Sequence, residues 1–174
     1  MRAPLVGVVE EGEAEPASGY LSMLRAGREQ RETARSAISE LRSLIAIAEQ
    51  EEPALAQAAH LNVAVTVAVV DSGGNLQTLA RMDGATFRAT NVATHKAVTA
   101  AGLGVPTVAF GKFAAQDPVL LATMATQPGS ALLPGGIPIT VGGAIAGAIG
   151  VAAGTKGEDQ PIAEAGAAAA AASD

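Results

Sequence analysis

Between Leu61 and Asp71 the chain reads Leu-Asn-Val-Ala-Val-Thr-Val-Ala-Val-Val-Asp, and this run constrains the fold more than any other stretch. Valine is stiff at χ1 and suits a pleated surface better than a helix, so the run is a strand. Ser72-Gly73-Gly74-Asn75 follows with residues that tolerate positive φ, and Leu76 to Met82 alternates well enough to return antiparallel. Val63 to Met82 is therefore a hairpin, ended by Asp83-Gly84. Ile137 to Ala153 repeats the signal: an Ile-Thr-Val strand, a two-residue Gly142-Gly143 turn and an Ala/Ile/Gly return. Gly147 and Gly150 inside that return imply close approach of another backbone or of a ligand.

Helical spacing surrounds the hairpins. Tyr20 to His60 places Leu21 and Leu24 three apart and puts Ile38, Leu41, Ile45 and Ala48 on one face; Pro53 breaks this run or opens a second, shorter helix. Phe87 to Leu103 is an Ala-rich helix that should cover the sheet, closed by Gly102 or Gly104 with Pro106 beyond. Thr107 to Met124 is weakly patterned, with a short helix from Pro118 after an Asp117 N-cap. A terminal helix over Ile162 to Ala172 follows a capping-box pattern, Thr155-Lys156-Gly157-Glu158, with Asp159 and Pro161 in its first turn. Helix, hairpin, helix, hairpin, helix is the order of an α+β layered domain with an antiparallel sheet. Residues 1–19, acidic and Pro/Gly-bearing, read as a flexible arm, and 20–174 as a single domain.

Composition sharpens this. Of the 174 residues 49% are hydrophobic, much of that alanine, and the aromatics are Tyr20, Phe87, Phe110 and Phe113, so the core is built from small side chains. The absence of cysteine removes disulfides, thiolate metal sites and Cys nucleophiles, and no metal site is expected. A net charge of -6 with 11 Lys+Arg and no Trp leaves no basic, aromatic-studded face for nucleic acid. Pro118 to Thr155 is uncharged and holds a GxxxG match at Gly143 and Gly147, but Pro134-Gly135-Gly136-Ile137-Pro138 breaks any helix there, so no membrane span is expected. The opening apolar residues run into Glu10 and Glu11 too soon for an export signal, and the expected location is the cytoplasm.

Three segments carry a resemblance: Ala68-Val69-Val70-Asp71-Ser72-Gly73-Gly74-Asn75-Leu76, Arg81-Met82-Asp83-Gly84-Ala85, and Ala93-Thr94-His95-Lys96-Ala97-Val98-Thr99-Ala100. With Pro134 to Ile139, Gly147 to Val151 and Glu158 to Ala163 in the expected order, the chain resembles the GlcG/HbpS-like, haem-binding-like family over roughly Ala34 to Ala172. That group also includes the C-terminal domain of PduO-type cobalamin adenosyltransferases. The resemblance implies a profilin-like α/β/α fold with a five-stranded antiparallel sheet, assembly into homo-oligomers from dimer to octamer, and haem as the candidate cofactor. This chain departs from the pattern at Ala152-Ala153, where a Ser usually follows the Gly-Val strand end.

The residues that can carry chemistry cluster near the central helix. Lys96 and Thr99 share a face at i, i+3, so Lys96 can anchor an acidic ligand or move a proton; the structural alternative is a snorkelling Lys that caps or pairs with Asp83. Any imidazole chemistry falls to His95 or His60, and His60 at a helix end reads as a dipole partner. Arg81, Asp83 and Arg88 surround one turn and form either a carboxylate pocket or a solvated turn. Gly135 and Gly136 can expose backbone N–H groups to an anion. Two readings of function follow: a small-molecule binder for a tetrapyrrole or another planar hydrophobic acid, held by Arg81, Arg88, Thr99, Gly135 and Gly136, or a cofactor-independent isomerase or lyase acting through Lys96 with His95 or Asp83. A third is a structural partner that assembles through Ala/Gly surfaces. Four aromatics are thin walls for haem.

Overall fold

The computed structural model describes residues 22, 25–33, 35, 36, 50–153 and 157–171. The chain divides into two compact units, Met1–Glu40 and Leu41–Asp174. In the first, residues 22, 25–33, 35 and 36 are helical (α1), and the Thr33 hydroxyl donates back to the Glu29 carbonyl at 2.9 Å. The arm over residues 1–19, and the helical face marked by Ile38, Leu41, Ile45 and Ala48, lie outside the described residues.

The second unit is organised by two hairpins. β1 (Thr66–Asp71) returns as β2 (Leu76–Arg81), and β3 (Gly136–Val141) returns as β4 (Ala144–Ala152). They form one antiparallel sheet in the order β2-β1-β4-β3, with Val67 opposite Val151 and Asp71 opposite Gly147 at the central pair. Among the described residues the sheet has four strands, not the five that the family resemblance implied. The residues themselves spell only two hairpins, and no other described segment pairs with them. The first turn is held by the Asp71 carboxylate, which accepts from the Gly73 and Asn75 N–H groups at 2.9 Å each. The second needs left-handed backbone at both central positions, and Gly142 (φ 57°) and Gly143 (φ 81°) supply it.

The pleat sorts the core into two layers. Val65, Val67, Val69, Ile149 and Val151 pack on Ala54 and Ala58 of α2 (Glu51–His60) and on Ile162 and Ala163 of α6 (Asp159–Ala171). The alternate positions face α3 (Phe87–Leu103): Val70 and Ala148 meet Ala97, Ala100 and Ala101, while Ala68 and Ala152 meet Ala89 and Ala93. The result is helix, sheet, helix, with a core of small side chains. The close approach expected at Gly150 is real, since a Cβ there would overlap the Ala93 carbonyl oxygen and sit 2.6 Å from the Ala97 nitrogen. Gly104, at φ 68°, closes α3 by donating to the Ala100 carbonyl at 2.9 Å.

Two short helices follow. α4 (Thr107–Ala114) was not marked by the sequence pattern, and α5 (Pro118–Thr126) starts at the expected cap, with the Asp117 carboxylate accepting from Val119 N and Leu120 N. The uncharged stretch from Pro118 thus folds as α5 and the β3–β4 hairpin. No single described helix is long and apolar enough to cross a membrane.

Candidate functional site

Lys96 faces the end of the sheet from the middle of α3 and is 1% exposed. Its ammonium donates to the Val151 carbonyl at 2.7 Å and to Asp159 Oδ2 at 2.6 Å. The other carboxylate oxygen of Asp159 accepts from Ala153 N at 3.0 Å. One ion pair therefore ties α3, the end of β4 and the first residue of α6. Asp159, not Asp83, is the partner of this lysine. Gly135 seals the pair: it sits at φ 105°, and a Cβ there would lie 2.7 Å from Asp159 Cβ and 2.8 Å from the Val151 oxygen.

The other residues singled out above fall in separate places. Gly135 N donates to Gln160 Oε1 at 2.9 Å and Gly136 N to Thr107 Oγ1 at 3.0 Å, so both N–H groups are taken by side chains of the protein. Asp83 and Arg88 are exposed, and the exposed Arg81 donates to the Ala85 carbonyl at 3.0 Å, closing the turn before α3. Arg88 lies about 12 Å along the helix from Lys96 at the usual rise per residue. His95 is half-buried and His60 is exposed in the last turn of α2. No group of three His, Cys, Asp or Glu side chains among the described residues could hold a metal ion.

Among the described residues, one concave surface lies elsewhere. An open groove of about 380 Å³ is lined by Gly111 of α4, by Leu121, Met124 and Ala125 of α5, and by Ser130, Leu132 and Leu133 of the segment that follows. Leu121 and Met124 are three apart and Leu121 and Ala125 four, so they form one stripe of α5. That helix has no buried residue, and Val119 (75% exposed) and Leu133 (60%) leave large apolar area in solvent nearby. The opposite wall is pinned from beneath by two buried threonines. Thr99 Oγ1 accepts from Ala131 N at 2.9 Å, and Thr107 Oγ1 donates to the Leu133 carbonyl at 2.7 Å. Gly111 lets α4 approach this wall, since a Cβ there would lie 2.6 Å from the Leu132 oxygen. Thr99 therefore belongs to the groove through the loop it holds. The lining residues carry no acid-base groups, which is why a search for chemistry in the sequence passes over them; the readable signal was a helix without charge.

Comparison with known proteins agrees on one group. A family model described as haem degrading protein HbpS-like matches residues 43–168. A 15.0 kDa protein from the dhaT-dhaS intergenic region of Citrobacter freundii is 33% identical over 122 residues, covering 63% of this chain and 78% of that protein. Among solved structures, the Klebsiella pneumoniae protein ORFY superposes with a TM-score of 0.69 at 28% identity, over 74% of this chain and 90% of its own. A double mutant of Streptomyces reticuli HbpS gives a TM-score of 0.65 at 38% identity, covering 72% and 84%. A PduOC complex with heme gives 0.66 at 25%, covering 71% and 91%.

Proposed function

This chain belongs to the HbpS-like family, and from that membership we propose that it binds a tetrapyrrole or another planar apolar acid in the groove between α4, α5 and residues 130–133. The observation that carries the reading is the groove itself: walls apolar but for the Ser130 hydroxyl, beside a helix that buries nothing. Pockets of this size and apolar lining suit small organic ligands. A flat apolar face can lie against such walls, and no charged residue lines the groove, so a ligand's carboxylate would stay at the solvent edge. Bound haem would supply one-electron and O₂ chemistry. The related PduOC structure is a heme complex, which supports the same ligand class here. Assembly into homo-oligomers and a cytoplasmic location belong to this reading too, and sedimentation with and without haemin tests the first.

Titration with haemin tests the site. A sharpened Soret band is expected, with affinity falling by more than tenfold in Leu121→Glu, which places a charge on an apolar wall, and unchanged in Arg88→Ala. An unaltered haemin spectrum, or equal affinity in both variants, overturns the proposal. The alternative, proton transfer through Lys96 with His95 or Asp83, has less support, because the Lys96 ammonium is buried against Asp159 and Val151 and does not line the groove.

A further inference from the structure

We infer that the start of α3 binds a phosphate group, held by the backbone N–H groups of Phe87 and Arg88, the Thr66 hydroxyl and the guanidinium groups of Arg81 and Arg88. This site is independent of the apolar groove. Its first component is an uncapped helix end. Thr86 stands at the N-cap with extended backbone (ψ 150°), where its hydroxyl could bond a first-turn N–H, yet it makes no cap bond and no acidic residue occupies that turn. Ala89 N donates to the Thr86 carbonyl at 3.1 Å, whereas Phe87 N and Arg88 N have no acceptor among the described residues.

The second component is a sealed hydroxyl. Thr66 is fully buried, and its Oγ1 has no hydrogen-bond partner among the described residues, an exception to the rule that buried polar groups are paired. Its place follows from the pleat. Val65 and Val67 pack on α2 and α6, so Thr66 shares the other face of β1 with Ala68 and Val70. Along that face Ala68 meets Ala89 and Ala93, and Val70 meets Ala97, Ala100 and Ala101, so strand and helix run the same way. Two residues before Ala68, Thr66 therefore lies under the first turn of α3, opposite Ala152, which packs with Ala89. Charge gathers at the same end. Arg81 is the β2 partner of Thr66, and its guanidinium donates to the carbonyl of Ala85, the residue before the N-cap, at 3.0 Å. Arg88 is the second residue of the helix, and together the two arginines outweigh the exposed Asp83. The unpaired groups are thus all donors, and they come from the helix, from the sheet beneath it and from the edge strand. A tetrahedral phosphate offers oxygens in all three directions, whereas the two oxygens of a carboxylate lie in one plane.

The test follows binding by phosphorus NMR and calorimetry at fixed ionic strength in wild type, Arg88→Gln, Thr66→Val and, as a control outside the site, the exposed Lys112→Gln. The probes are inorganic phosphate, phenyl phosphate and benzoate. Wild type should bind both phosphates more tightly than benzoate. Arg88→Gln and Thr66→Val should each weaken phosphate binding by about tenfold or more, the scale of one lost hydrogen bond to a charged acceptor, while Lys112→Gln matches wild type. In phosphate-free buffer Thr66→Val should be at least as stable as wild type, since it removes a hydroxyl that has no partner, and its lost affinity is then not a loss of fold. Phenyl phosphate bound more tightly than inorganic phosphate assigns the site to an ester whose body rests on Phe87, 81% exposed at the first helical position; equal affinities assign it to the free ion. No binding by wild type at millimolar phosphate overturns the proposal. So does an equal loss in Lys112→Gln, which would reduce the effect to surface charge, an unchanged affinity in Thr66→Val, or benzoate bound as tightly as phenyl phosphate.

Discussion

The lysine on the central helix and its carboxylate partner are unequal in what each loses when the other is removed. Lys96 is 1% exposed and Asp159 14%, so the ammonium has no route to water while the carboxylate keeps some. Lys96→Met leaves Asp159 its other contacts, the Ala153 N–H among them, and partial solvation; Asp159→Asn leaves a buried cation and turns an amide NH₂ toward a donor. Breaking a buried pair costs about 3–5 kcal/mol when a charge is stranded. Asp159→Asn should therefore destabilise by about that amount and Lys96→Met by about 1–3 kcal/mol, near the cost of an unpaired polar group. Urea unfolding of both variants checks the order, and a larger loss in Lys96→Met refutes it. Sequence spacing marked Lys96 but offered Asp83 as partner, because a contact across 63 residues leaves no local trace. Asp71 shows the opposite case, a role legible from its turn. The Asn75 N–H, with the Asn75 side chain, Gly73 N–H and Gln77 side chain, holds its carboxyl below the ordinary aspartate range, against a smaller opposing effect of burial. A lowered folded pKa adds stability that is complete above the unfolded value, near 4, and is lost as pH falls through the folded one. Asp71→Asn should be less stable than wild type at neutral pH, with the gap narrowing below about pH 4; a constant gap from pH 7 to pH 2 would count against it.

At the level of elements, the contact between α3 and β4 sets the thickness of the molecule. Alanines at 89, 93, 97 and 100 on the helix and Gly150 on the strand bring backbone against backbone, so no side chain can rotate away from an intruder. Gly150→Ala should cost about 3 kcal/mol or more, at the upper end for overpacking, because the added methyl meets Ala93 O and Ala97 N rather than a flexible terminus. Thermal unfolding decides this, and a variant as stable as wild type would mean that helix and strand part easily. Both hairpins and α3 were readable because valine runs, Gly-Gly turns and a Gly104 cap are local signals. α4 was not: its eight residues hold a glycine whose purpose is the close approach to Leu132, visible only in three dimensions. The same limit hid the groove, which is assembled from two helices and a loop pinned by threonines some thirty residues away in sequence.

For the whole molecule, the layered architecture and the candidate groove both lie within the unit Leu41–Asp174, and the family match begins at residue 43. The resemblance seen in the sequence led to the family because its motifs are turns and close approaches, which fix backbone paths; the walls of the candidate groove are apolar and generic, so they could not be read the same way. A chain's independent stability rests on a core that is complete within it. Val65, Val67, Val69, Ile149 and Val151, with the helices that cover them, all belong to the second unit. Residues 41–174 alone should therefore unfold cooperatively, with a midpoint within about 4 °C of the full chain, the shift that roughly 1 kcal/mol produces at this size. Haemin titration of the shortened chain should give the full-length spectrum and affinity. A shortened chain that melts without a cooperative transition would show that residues 1–40 complete the core, and one that folds but loses haemin would place part of the ligand's binding surface among them.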